Sequence, residues 1–260
     1  MKCQEIINIL ERQAPEQYAC EWDNVGLLVG DDQKEIKKIY IALDATEETI
    51  KEAIERKADM LLTHHPMIFK GLKKVNAKDF TGKRVMSLIQ ADIAYYAMHT
   101  NFDVKGMAEL AAQKLQLQNC QVLEVTCEDE QGAQGIGKVG DLSKPTDVRE
   151  CAELVKKVFD IEQVKVFGDL TAEVTKAAIC PGSGKSVIGE ALKSKAQVLI
   201  TGDIDHHEGI DAAAQKMAVI DAGHYGIEKI FIPYMKKYLE ENTEGLVILQ
   251  QPEKQPFVYI

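Results

Sequence analysis

The sequence predicts an α/β protein built from two similar α/β units. Three observations carry that prediction. Short apolar runs alternate with amphipathic helical patterns along the chain, the pattern of strands fed by helices. The second half echoes the first at a fixed offset. All six histidines sit in three short clusters, His64 with His65, His99, and His206 with His207 and His224, each after a short apolar run of strand-like character. The end of a buried strand is where open α/β sheets carry their sites.

From the N-terminus, residues 6–12 have helical spacing and 38–43 form an apolar run of strand length. Helical patterns at 46–56, 84–90 and 107–115 then alternate with strand-like runs at 60–63, 93–98 and 121–126. Gly132, Gly135, Gly137 and Gly140 punctuate the chain heavily, which predicts a hinge at 132–140. Beyond it the pattern predicts a helix at 147–159, strands at 164–167 and 174–180, and a helix at 185–193. A strand at 198–201, a helix at 210–215, a strand at 218–221 and a helix at 225–240 follow, the last kinked at Pro233. The predicted units are 1–130, holding His64, His65, His99 and Asp103, and 131–243, holding His224 and Glu228. Residues 244–260 are expected to pack back on the first.

Sliding the chain by 138 residues sets 39–65 against 177–203 without a gap. The matches are Ile41/Ile179, Ile50/Ile188, Glu52/Glu190, Ala53/Ala191, Lys57/Lys195, Ala58/Ala196, Leu61/Leu199 and Thr63/Thr201. An offset of 125 residues sets His99 against His224 and Asp103 against Glu228. Together they suggest a duplicated strand–helix–strand unit.

Composition narrows the function. With 45% hydrophobic residues over 260 positions, the chain has enough apolar material for one large or two small cores. A net charge of −10 argues against broad binding to nucleic acid phosphates and suits the collection of cations. Cys3, Cys20, Cys120, Cys127, Cys151 and Cys180 form no C-x2-C pair, which speaks against finger-type zinc and for a reducing compartment. The polar N-terminal segment and the lack of any apolar run of spanning length predict no membrane association and a cytoplasmic protein.

Imidazole is a common metal ligand, and carboxylates follow two histidines at matching spacing, His99 with Asp103 and His224 with Glu228. Adjacent strand residues point to opposite faces, so His64 and His65 each reach a different ion of a pair at the strand end. Pro66 ends the ladder there. Two cations about 3.5–4 Å apart need an anion between them, and Glu228, one turn after His224, is the candidate bridge. Each residue has a plainer reading by itself: His99 as a hydrogen-bonded core histidine, Asp103 as a turn residue, Glu228 as a solvated helix residue. The recurrent His-x3-acid spacing separates these readings. His206 is expected at the surface, whereas Asp203 and His207 are expected to line the cavity. Gly202 and Asp203 stand at the repeat positions of His64 and His65, so the second copy has lost those ligands. Cys180 to Ser186 imitates a phosphate loop, but Ile179 stands where the pattern requires glycine. That leaves at most modest anion binding at 182–186.

Five motifs now stand in order: Glu21-Trp22-Asp23-Asn24-Val25-Gly26-Leu27-Leu28, Leu62-Thr63-His64-His65-Pro66, His99 to Asp103, Thr201-Gly202-Asp203, and Gly223-His224 to Glu228. This ordered signature resembles that of the Nif-three-like dinuclear metal-centre family, also called GTP cyclohydrolase I type 2 homologs. The resemblance implies a two-domain α/β protein assembled as a toroidal homohexamer, a trimer of dimers, with a two-metal site facing the inner cavity. It implies that His64, Asp103 and Glu228 hold one ion and His65, His224 and Glu228 the other, with His99 a near neighbour. The extra mid-chain domain of some relatives is absent.

The function expected is a dinuclear-metal-dependent hydrolase acting on a small nucleotide-like substrate, similar to GTP cyclohydrolase I type 2. Two divalent ions per subunit (Zn, Fe, Mn or Co) would activate water, with His99 or His207 as proton donor to the leaving group. The alternative is a metal-binding or metal-delivery protein, or a ring-shaped adaptor without catalysis. A ring around DNA conflicts with the acidic balance unless Lys70, Lys73, Lys74 and Lys78 line a channel.

Overall fold

The chain is described from a computed structural model covering every residue except Tyr259. It divides into two compact units: Met1–Phe102 with Phe231–Glu253, and Asp103–Ile230 with Lys254–Ile260.

The first unit opens with α1 (Cys3–Gln13), whose residues Cys3, Ile6, Ile7 and Leu10 line one buried face at i, i+3, i+4 and i+7. β1 (Gly26–Val29), β2 (Lys38–Asp44), α2 (Glu47–Glu55), β3 (Met60–His65), α3 (Phe80–Gln90), β4 (Ala94–Ala97) and the single turn α4 (Thr100–Phe102) follow. Thr46 and Asp79 cap α2 and α3 by accepting the backbone N–H groups of Thr49 and Gly82, satisfying donors that the first helical turn leaves without intrahelical partners. β2, β3 and β4 run parallel, with Tyr40 opposite Leu61 and Leu61 opposite Tyr95. Their nearly continuous apolar sequence reflects burial on both faces, and Tyr40, Leu61 and Tyr95 meet in the core under α2 and α3.

The second unit begins with a π-helical turn, Asp103–Met107, then α5 (Ala108–Lys114), β5 (Gln118–Asp129), β6 (Gly132–Asp147), α6 (Val148–Phe159), β7 (Lys165–Phe167), β8 (Glu173–Ser183), α7 (Ile188–Lys193), β9 (Val198–Gly202), α8 (His206–Ala214), β10 (Ala218–Asp221) and α9 (His224–Glu228). Its six strands lie in the order β5-β6-β8-β9-β10-β7. The predicted hinge at 132–140 is part of β6, paired antiparallel with β5 and β8. The glycines there answer to crowding. A Cβ at Gly135 would collide with the Glu124 carbonyl oxygen, and one at Gly140 would stand 2.7 Å from that of Gln118. The predicted division near 130 is therefore corrected: the chain changes unit after Phe102, after Ile230 and again after Glu253, so only the part of 244–260 up to Glu253 joins the first unit.

The predicted helix at 225–240 is likewise two helices. α9 ends at Glu228 and α10 (Phe231–Asn242) starts three residues later. Pro233 sits in the first turn of α10, where an N–H would have no intrahelical acceptor, so it breaks nothing. α10 and β11 (Val247–Gln250) belong to the first unit, where β11 runs parallel to β2 and completes the order β1-β4-β3-β2-β11. The apolar tail at 256–260 includes Tyr259, which lies outside the described residues.

The two units repeat one element order, α-β-β-α-β-α-β-α, from α1 to α4 and from α6 to α9. The 138-residue offset survives in the pairing register: Tyr40↔Leu61 and Ile41↔Leu62 correspond to Ala178↔Leu199 and Ile179↔Ile200. Gly30 and Gly168 share it too, each with positive φ and each closely packed against an alanine, Ala94 or Ala218. Among the described residues no helix is long and apolar enough to cross a membrane.

Candidate metal centre

In the first unit, β3 delivers two imidazoles at its C-terminal end. Tyr95 shapes that exit, since its hydroxyl donates to the His65 carbonyl at 3.0 Å and accepts the Met67 N–H at 2.9 Å. His64 is fully buried among the rings of Phe102 and Phe231, at centroid distances of 6.3 and 5.3 Å. His99, just after β4, joins them, its ring centroid 5.4 Å from that of His64 and 5.6 Å from that of His65. The three histidines offer ligand atoms within 4.8 Å of one another.

Each of these imidazoles has its Nδ1 committed. His64 Nδ1 lies 2.7 Å from the Met98 carbonyl, His65 Nδ1 2.8 Å from Asp44 Oδ1, and His99 Nδ1 2.9 Å from Asp23 Oδ1. A carbonyl or an ionised carboxylate only accepts, so Nδ1 carries a proton and Nε2 is the nitrogen that could meet a metal. Asp44 is opposite His65 in the parallel register. Asp23, its side chain fully enclosed, also accepts from the Thr100 backbone N–H at 3.0 Å and its hydroxyl at 2.5 Å. Burial pushes the Asp23 carboxyl up, but the bonds and charge from His99 and the Thr100 bonds outweigh it and hold the group at about 2.

The second unit contributes Asp103, His224 and Glu228. Asp103 opens the π-helical turn, a rare geometry often found at functional sites. One of its carboxylate oxygens lies within 4.8 Å of one from the buried Glu228. Two carboxylates this close repel one another unless a proton or a cation offsets their charge. His224 stands one helical turn before Glu228, with Nε2 2.9 Å from Glu228 Oε2 and Nδ1 2.8 Å from Asp203 Oδ2. Asp203 thus repeats the role of Asp44, as a fourth Nδ1 anchor. Burial of His224 disfavours its charged form, yet hydrogen bonds and charge from Glu228 and Asp203 prevail and raise its pKa to about 9. Gly182, with φ +74°, lies directly against the Glu228 carboxylate. Beside them the Cys180 thiol is pushed far up by burial, with Asp103 and Glu228 adding to the effect.

A pH dependence follows. With its pKa raised to about 9, metal-free His224 carries a proton near neutrality that a cation binding at Nε2 would have to displace. Metal affinity should therefore fall with decreasing pH, His224 alone contributing up to about tenfold per unit below its pKa. Titration of metal into metal-free protein at pH 6 and pH 8, in buffers of different ionisation enthalpy, should reveal released protons; equal affinity at the two pH values would contradict this.

The other expectations fare differently. His206 and His207 stand exposed in the first turn of α8, ring centroids 5.2 Å apart. Asp203 supports His224 directly and needs no cavity to explain it. The phosphate-loop imitation stays in β8 as far as Ser183, α7 has only six residues, and the Lys185 ammonium pairs with the Asp205 carboxylate. Nothing there is arranged to receive a phosphate. The anchors Asp23, Asp44 and Met98 went unassigned in the sequence; the one available signal was an acid, Asp44, closing the strand beside the one that ends in His64 and His65.

The donor set, imidazole nitrogens with carboxylate oxygens and no thiolate, suits a divalent first-row metal. The chain is similar to known proteins along its whole length. A Clostridium perfringens protein named GTP cyclohydrolase 1 type 2 homolog is 36% identical over 264 residues, spanning 100% of both chains. The crystal structure of a Bacillus cereus protein related to NIF3 has a TM-score of 0.93 at 26% identity, covering 100% of this chain and 99% of that one. Reduced HcgD from Methanocaldococcus jannaschii has a TM-score of 0.84 at 33% identity, covering 96% and 97%. The family described as Duf34/NIF3 (NGG1p interacting factor 3) matches residues 1–256, and the chain belongs to that family.

Proposed function

We propose that the two donor sets serve one dinuclear centre, with His64, Asp103 and Glu228 on one divalent ion and His65, His224 and Glu228 on the other, and that it hydrolyses a small nucleotide-like substrate. The observation that carries the reading is the common anchoring of Nδ1 in the three proposed histidine ligands, His64, His65 and His224, each by a carbonyl or a carboxylate. Core histidines need no such uniform tautomer, whereas ligands do. Two such cations, Zn, Fe, Mn or Co, supply Lewis acidity and lower the pKa of water.

The side chains have separable tasks. Asp44, Asp203 and the Met98 carbonyl orient His65, His224 and His64. Glu228 supplies the shared negative charge. His99 is not assigned to either ion; in its doubly protonated form, with Nδ1–H held by Asp23, it is the group we assign to donate the Nε2 proton to a leaving group. His207, exposed on α8, is set aside for that task. The names of the curated relatives, GTP cyclohydrolase 1 type 2 homolog, support a nucleotide-like substrate.

Metal analysis of protein purified without added metals, followed by a hydrolase substrate panel on the same sample, tests the reading. Metal-dependent turnover abolished by chelation and restored by the same metal is expected. Full metal occupancy with no turnover across nucleotide substrates would favour a metal-delivery or adaptor role instead.

We further propose the closed homohexamer implied by the family resemblance, since closed symmetry is the ordinary outcome for soluble homo-oligomers. Light scattering at micromolar concentration should give about six times the chain mass; a mass near 28.9 kDa would contradict it.

A further inference from the structure

Beside His99 the first unit carries two large exposed rings. Trp22 is 64% and Phe69 50% exposed, unusual for side chains whose burial is so favourable. Both meet the His99 ring edge-on, with centroids at 5.9 and 5.8 Å and planes inclined by 75° and 81° to the imidazole. Both are carried on a fixed frame. Asp23, next to Trp22, holds His99 and Thr100, and the Asn24 side-chain amide donates to the Ile68 carbonyl at 2.6 Å. That bond ties the Trp22 segment to the loop bearing Phe69. Rings that are pre-positioned yet left exposed can bind a ligand with little further loss of freedom.

The loop adds charge. Residues 66–78 contain Lys70, Lys73, Lys74 and Lys78 and no acid, in a chain of net charge −10, and all four lysines are exposed. Positive charge on the loop that carries Phe69 favours an anion on that side of the rings.

We propose that Trp22 and Phe69 form the recognition site for a planar heteroaromatic ring carrying an anionic group, with the ring against the two aromatic side chains and the anion toward the lysines of 66–78. The ring would then be presented to His99 and, beyond it, to His64 and His65. The proposal rests on the metal-centre reading for its position but not for its contacts. Stacking on aromatic side chains tolerates different ring systems, so the site selects a shape and a charge.

Trp22 is the chain's single tryptophan, and its emission therefore reports on this site alone. GMP added to the metal-loaded full chain should quench that emission saturably. Guanosine should quench with weaker affinity, and ribose 5-phosphate should not quench. In equilibrium dialysis, Trp22→Ala and Phe69→Ala should each bind GMP at least about tenfold more weakly while retaining metal. Converting Lys70, Lys73 and Lys74 together to alanine should weaken GMP and leave guanosine unchanged. Metal retained with no quenching by GMP would overturn this proposal and leave the metal-centre reading standing. Emission that varies with protein concentration and ignores GMP would assign the rings to contacts between copies, and would overturn it equally. Loss of metal in the wild-type protein with quenching intact would overturn the metal-centre reading alone.

Discussion

Glu228→Ala should lose both metal ions while the protein stays folded. Glu228 is 3% exposed, lies 2.9 Å from His224 Nε2, and has Asp103 as its carboxylate neighbour. Removing a shared anion leaves two cations facing each other with less charge between them and one donor fewer apiece. The loss should exceed that of His65→Ala, which takes a donor from one ion. Both should exceed Asp44→Ala, which frees only the orientation of His65 and should cost roughly 10–100-fold in affinity. Elemental analysis of the three purified variants ranks them, and full occupancy in Glu228→Ala would remove the bridging assignment. Leaving Asp103 beside an alanine relieves repulsion in the metal-free state, so the fold should tolerate the change.

Gly182→Ala tests the same carboxylate from the opposite side, without touching a ligand. The new methyl would collide with Glu228 Oε1, and His224 Cε1 stands 3.7 Å from it. Because the obstacle is the far end of a side chain, Glu228 can turn away and the backbone can remain. Alanine at φ +74° adds a strain of about 1–3 kcal/mol. Thermal unfolding should therefore shift modestly, while metal affinity should fall by roughly 100-fold or more, given that even supporting residues are worth 10–100-fold. A variant that keeps its metal and loses only stability would show that Glu228 need not sit where it does.

How much of this was legible in the sequence depends on the kind of information each feature needs. Apolar runs such as 38–43 and 60–63 declared strands of an α/β sheet because burial on both faces leaves no polar alternation to confuse. His64 and His65 were conspicuous at the end of one of them. The likeness of the two halves was visible because eight identities fall at a 138-residue offset in strands that also share their register. The glycines of 132–140 misled because glycine marks both flexible turns and places where another backbone comes close, and only the pairing of β5 with β6 distinguishes the two. The change of unit at Asp103 hides inside a continuous helical stretch, with no proline or linker to announce it. Asp23 and Asp44 could not be assigned, since an acceptor for Nδ1 is defined by which side chains the fold brings together. Asp44 reaches His65 through strand register, and Asp23 reaches His99 across 76 positions of chain.

The central claim is that these anchored imidazoles and carboxylates hold two metal ions. Anomalous scattering from crystals of the protein purified without added metal, recorded above and below the absorption edge of the metal found by elemental analysis, measures that directly. Two peaks are predicted about 3.5–4 Å apart, one bonded to Nε2 of His64 and the other to Nε2 of His65 and His224, with Glu228 reaching both. A single peak, peaks bonded through Nδ1, or density at His206 and His207 with none at Glu228 would contradict the account.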